Sequence, residues 1–352
     1  MRAAGHGASL RPRRSSDGHR LTYGVDLNAT TVELAEVSLW LNAMYPGLKA
    51  PWFGLQLRQG NSLIGCRRAT WTTSQLGDRP WANTKSGSVH PPVDRPLTDA
   101  LRADEIHHFL LPGHGWAAVA DRKEAKELRP DEVESLKAWR KQVLKAPTKA
   151  EAKRLTALAN GVETMWASPI ERIRLTKRAL RRSIDIYGAP AEKPGTSISR
   201  AEAIKALNDP DSALGRLRTL MDAWVGLWFW PFDTGVHPPS WGEWLAVAED
   251  LIRPDERHGL TGQLDLFEDL GSLLDAERER QQGQATVAQL REAHPWLAAA
   301  TDDARTEGNR SVSSLRCSAC SGASTCRFST GSHTAPSRAS SPTSERHTTP
   351  VR

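Results

Sequence analysis

Cysteine is scarce: Cys66 stands alone and Cys317, Cys320 and Cys326 crowd the end of a 352-residue chain, too few and too clustered for a disulfide framework. Long apolar runs are missing as well. No stretch approaches the roughly eighteen apolar residues that a bilayer-crossing helix needs, and none follows the start as a secretion signal would. These absences argue against a membrane role and make the cytoplasm the expected compartment. Aromatic residues make up only 6% of the chain, and thirteen of the twenty-two are Trp, which suggests discrete packing clusters rather than one continuous core. An excess of charge is nearly missing too: +6 over this length permits attraction to nucleic acid without requiring it.

Enough remains for several structured segments. Residues 1–20 are rich in Arg, Gly and Ser with no apolar period, and are expected to be a disordered lead-in. Leu21 to Leu27 then predicts a short buried strand. Thr30-x-x-Glu33 supplies a capping box for a helix from about Thr31 to Met44, with Leu34, Val37 and Leu41 on one face. Pro46 and Gly47 close that helix, and Phe53 to Leu57 offers a second strand ending near Gly60. Strand, helix, strand is the unit of a parallel α/β sheet.

From Trp71 to about Gly115 the many Pro, Gly, Ser and Thr residues indicate a long loop or hinge, so residues 71–120 are expected to connect rather than pack. Helical periodicity takes over in 121–300. The candidates are Asp131–Lys145, Lys149–Trp166, Pro169–Ile186, Arg200–Leu207, Ser212–Trp228, Trp241–Leu251 and Leu264–His294. Charge divides unevenly there: residues 121–187 hold seventeen Lys or Arg against ten acids, and 243–280 hold eleven acids against four Arg, so the two halves could pair. From Gly308 onward the composition shifts to Ser, Thr, Arg, Pro and Cys, with twelve serines between Ser311 and Ser344, and residues 301–352 are expected to be disordered.

The candidate chemistry lies at the first two strands. In nucleotide-binding α/β sheets the ligand crosses the carboxyl ends of the strands, and an acid there accepts hydrogen bonds from ribose hydroxyls. Asp26 occupies such a position; Leu27 could press on an adenine face and Asn61 could meet its edge. A strand-ending Asp also serves as a cap or turn residue. A nicotinamide-dependent dehydrogenase would need G-x-G-x-x-G ahead of Asp26, and that stretch has none.

The runs Tyr23-Gly-Val-Asp-Leu-Asn-Ala-Thr-Thr-Val-Glu-Leu-Ala-Glu-Val-Ser-Leu-Trp-Leu41 and Gly60-Asn-Ser-Leu-Ile-Gly65 resemble the N6-adenine DNA methyltransferases of large restriction-modification and phage-defence proteins, including the DISARM- and BREX-type methylases. The likeness covers roughly Leu21 to Arg68. It implies an α/β fold, a partial Rossmann-like methyltransferase sheet interrupted by a large α-helical insertion with disordered termini. It further implies S-adenosylmethionine as cofactor and DNA as partner, with Asp26 on the cofactor ribose, Leu27 and Asn28 bordering the adenine, and Asn61, Ser62 and Leu63 in the next cofactor motif. Ala29 departs from the family, which usually has Pro there.

Two family motifs are missing. The Gly-rich loop that cradles the methionine end of the cofactor has no counterpart in Met1 to Arg20, and the catalytic Asn-Pro-Pro occurs nowhere; the two Pro-Pro pairs follow His90 and His237. The expectation is therefore a fragment, inactive alone, or a non-enzymatic helical module working beside a separately encoded catalytic half. One codon choice for Arg316 to Arg327, read one base earlier, gives Leu-Phe-Gly-Val-Phe-Gly-Gly-Phe-Asp-Leu-Gln, which resembles the segment preceding Asn-Pro-Pro in the family. An out-of-frame tail is expected on that ground.

Other clusters invite site readings. Cys317, Cys320, Cys326 and His333 have the donor types of a zinc site but no flanking hairpin or helix pattern. His107, His108 and His114 read as loop or packing residues. Arg172, Arg174, Lys177, Arg178, Arg181 and Arg182 could contact phosphates or simply form a solvated helix face. Trp224, Trp228, Phe229 and Trp230, flanked by Leu217, Leu220 and Val225, read as core rather than as a base-stacking platform.

Overall fold

A computed structural model describes residues 24–43, 53, 56–61, 65–82, 91–96, 99–180, 205, 208–232, 234–252 and 283–306, with the backbone alone for 43, 167–180 and 303–306. The lead-in 1–20, the tail from 307, most of the Arg200–Leu207 helix and the front of the Leu264–His294 helix lie outside the described residues.

Among the described residues the chain is a helix-rich mixture of α and β with two small sheets. The first is parallel: β1 (Gly24–Asp26) pairs with β2 (Leu57–Gln59) in the register Gly24 to Leu57, Val25 to Arg58 and Asp26 to Gln59. Helix α1 (Ala29–Ala43) joins them, because parallel neighbours cannot be linked by a tight turn. It starts earlier than Thr30-x-x-Glu33 suggests. Asn28, not Thr30, caps it: its side-chain Oδ1 accepts from Thr30 N at 2.9 Å.

The stretch expected to be a loop is structured. β3 (Ala69–Thr72) lies at the centre of a three-stranded antiparallel sheet, between β4 (Val93–Asp94) and β5 (Glu105–His107). All three β5 residues are buried, so the alternation that would have marked a half-exposed strand is missing from the sequence. A turn at His108–Leu110 then sends Phe109, Leu110, Leu111 and Trp116 into the core.

The described helices that follow are α2 (Lys123–Leu128), α3 (Pro130–Val143), α4 (Lys149–Leu180), α5 (Ala213–Gly226), α6 (Trp241–Ile252), α7 (Val287–Ala293) and α8 (Pro295–Thr306), and α4 packs on β5. Periodicity located α3, α5 and α6 to within two residues at each end. α4 is a correction, since one helix runs through Pro169 where two were expected. Pro removes one ladder hydrogen bond there, and the helix continues on either side. α8 begins with Pro at its first position, where the ring's fixed φ suits a helix start, and passes residue 300 into the expected tail.

α5 is the central post. Ser212 caps it by accepting from Gly215 N at 3.1 Å, and twelve of its fourteen residues are buried. It packs on α4, α6 and, most extensively, α8. The α5–α8 crossing is so close that a Cβ on Gly226 would come within 2.0 Å of the Ala300 carbonyl oxygen. Indole N–H groups bind the loop before α2 to this post and to α6. Trp116 donates to Trp224 O at 3.0 Å, Trp224 to Leu111 O at 2.8 Å and Trp244 to Leu110 O at 3.2 Å. Trp224 and Trp230 are buried as expected, Trp228 is half-buried, and Phe229 is 39% exposed. Among the described residues no helix is long and apolar enough to cross a membrane.

Candidate functional site

The carboxyl ends of β1 and β2 lie side by side, and the local sequence explains why. Asp26 ends β1, and its Oδ1 accepts from Asn28 N at 2.8 Å, turning the chain into α1. The Asp26 carbonyl accepts from Gly60 N at 2.8 Å, which carries the pairing one residue beyond β2 and sets Asn61 immediately past that bond. Gln59 completes the junction, its Nε2 donating to Leu27 O at 3.1 Å across the strand tips.

Asp26 is exposed, and Oδ2 has no partner among the described residues. Leu27 is 53% exposed beside it, an apolar surface next to a carboxylate. Asn28 is committed to capping α1, so its side-chain oxygen faces the helix start rather than a ligand. Asn61 is half-buried. Of the six expected site residues, Asp26, Leu27, Asn28 and Asn61 gather at the two strand tips; Ser62 and Leu63 lie outside the described residues. The donor set suits one part of a nucleoside. A carboxylate can accept from vicinal hydroxyls, an exposed leucine can cover a flat ring, and an amide can bind its edge.

Gln59 and Arg58 were not singled out by sequence. Gln59 carries no signal beyond its place at a strand end. Arg58 faces the helical body, and burial first, then the Arg218 charge on α5, lowers its guanidinium to about 10, with Glu36 on α1 opposing the shift. These three charges mark where the parallel unit meets the rest of the protein.

The other clusters resolve as packing where they are described. His107 is fully buried, lying parallel to the rings of Phe109 at 5.2 Å and Trp166 at 6.2 Å. His108 meets Trp224 edge-on at 5.2 Å, and His114 meets Trp228 edge-on at 5.0 Å. The described residues contain no His, Cys, Asp and Glu group able to hold a metal ion. Cys317, Cys320, Cys326 and His333 lie outside them, as do Arg181 and Arg182; the backbone of α4 carries Arg172, Arg174, Lys177 and Arg178. The chain matches no family model, no curated protein and no solved structure.

Proposed function

We propose that this chain carries the ribose-and-adenine side of an S-adenosylmethionine site from a DNA adenine-N6 methyltransferase, on part of a Rossmann-like sheet, and does not methylate DNA by itself. One observation supports this reading above the others: Asp26 and the Gly60–Asn61 pair stand at adjacent carboxyl ends of two parallel strands, the place where such sheets receive nucleosides. The cofactor, when bound, would supply an electrophilic methyl group for the exocyclic amine of a flipped adenine. This chain's share is to hold it. Asp26 Oδ2 would accept the ribose hydroxyls, Leu27 would shield the ring from water, and Asn61 would orient its edge.

Catalysis of such a transfer depends on aligning the amine and on accepting its developing positive charge. No Asn-Pro-Pro is present to do so. Titration of the full chain with S-adenosylmethionine, followed through backbone amide resonances, should give affinity of roughly millimolar order. Shifts should be confined to Asp26–Asn28 and Gly60–Asn61, and Asp26→Ala should remove them. Saturating cofactor that moves none of these resonances would defeat the reading. Micromolar affinity, or methyl transfer to DNA by the chain alone, would show that the site is more complete than proposed.

A second reading, a non-enzymatic module that works with a separately encoded catalytic half, draws support from α1. Leu34, Val37 and Leu41 follow one another at helical spacing and are 61%, 47% and 55% exposed. An apolar stripe on a parallel βαβ unit is normally covered. Co-purification with a chain carrying Asn-Pro-Pro would favour it.

A further inference from the structure

Away from the strand tips, α4 is tied to the antiparallel sheet by a buried cluster of charge. Glu163 on α4 receives a forked contact from Arg68, whose Nε is 3.1 Å from Oε1 and whose Nη2 is 2.5 Å from Oε2. Arg68 is 5% exposed, so this carboxylate does much to keep its charge tolerable there. The same guanidinium donates to the carbonyls of Arg95, Pro96 and Asp99, fastening the connection that follows β4. His107 Nε2 approaches Glu163 Oε1 to 2.9 Å. The contact is close but poorly aligned for an N–H···O bond, and Nδ1 finds no partner among the described residues, so the imidazole is held by burial and stacking more than by hydrogen bonds.

At neutral pH the cluster balances: one guanidinium, one carboxylate and a neutral imidazole. Burial pushes the His107 imidazole below its ordinary value; Glu163 pulls it upward, and Arg68 adds to the depression. Burial works to raise the Glu163 carboxyl, yet His107 and Arg68 together outweigh it and leave the group below the ordinary range. Other charged groups nearby are already engaged. Arg95 pairs with Glu105, and Arg67 pairs with Asp94. His108 accepts from Arg67 N at 3.1 Å and is driven down to about 3, first by burial, then by the charges of Arg67 and His107. On α5, Asp222 acts on Cys66, whose thiol burial raises.

We propose that Arg68, Glu163 and His107 form an acid-released latch that holds the middle of α4 against the antiparallel sheet. Both titrating groups bind protons more tightly once the contact is broken. As pH falls below 6.5, the ordinary His value, the open form gains a proton that the closed form resists. Below 4.5, the ordinary Glu value, the open form gains a second, and the closed form would leave Arg68 buried without its counter-charge. Acid therefore opens the latch, with no opposing term from these two groups.

Amide exchange of the full chain, read by mass spectrometry and corrected for intrinsic rates, tests this. The opening constant of peptides spanning 155–166 should rise by up to about tenfold for each pH unit below 6.5. Peptides from α6 should change less. His107→Phe, which keeps the stacked ring, should flatten that rise, whereas Glu163→Gln should increase opening at every pH and abolish the steeper part below 4.5. A slope that survives His107→Phe and vanishes in His108→Gln, or one shared equally by α6, would overturn the latch. Should His107→Phe not fold, Glu163→Gln decides: an unchanged acid limb in that variant refutes the proposal.

Discussion

The parallel unit at residues 24–61 and the helical body from Cys66 to Thr301 both set helices beside short strands, yet they hold their apolar residues differently. In α1 no described side chain reaches full burial, and its Leu34–Val37–Leu41 stripe faces outward. In α5 even Arg216, Thr219 and Asp222 are buried with the leucines. The body's core runs without a break from Cys66 through Trp116, Leu220 and Trp244 to Ala300, while Phe53 and Leu57 are buried outside it. A helix acquires its stability from the surfaces it meets, and α1 meets too few of them.

The sharpest way to break this contrast is to damage the body. Trp244→Ala removes a fully buried indole and its bond to Leu110 O, and should cost about 3–5 kcal/mol by urea unfolding. A loss below about 1 kcal/mol would mean that the core is looser than it looks. Gly226→Ala should cost about 1–3 kcal/mol, because a methyl there meets backbone at Ala300 rather than a side chain that could swing aside. Thermal unfolding of this variant checks whether the α5–α8 crossing is as close as drawn. In the parallel unit, Asn28→Ala should cost about 1 kcal/mol through the lost cap, seen as faster amide exchange across Ala29–Ala43 with the body unaffected. Smallest of all, Leu34→Ser should shift stability by less than about 0.5 kcal/mol in the isolated chain. Were that replacement to cost as much as a core truncation, the stripe would be covered and the contrast would dissolve.

Legibility in the sequence follows the same division. Helices such as α3, α5 and α6 announce themselves because their apolar residues recur at helical spacing and their starts carry Pro130, Ser212 or Ser240 with Glu243. The antiparallel sheet does not. Its strands are two to four residues long, the Glu105 and His107 side chains within β5 are buried although charged or polar, and half-buried Arg95 beside them pairs with Glu105. Arg68 and Glu163 meet across ninety-five residues, a separation for which local pattern offers no cue. At the candidate site the order of strand tips and the place of Asp26 were legible, since turn chemistry is local. The part Asn28 plays was not, because Thr30-x-x-Glu33 is an equally good cap by composition and lost to a residue two positions earlier.

The indole bonds that clasp residues 110–116 to α5 and α6 also bear on how the chain is made. Their partners are separated by 108, 113 and 134 positions, so these three bonds cannot form until the ribosome has delivered more than a hundred further residues, although Trp139 and Trp166 reach Trp116 and Phe109 sooner. Contacts of such long range close slowly, and a nascent chain must leave Trp116, Phe109 and Leu110 incompletely covered in the meantime. Chaperone demand during synthesis should therefore peak between the emergence of this loop and the arrival of α6.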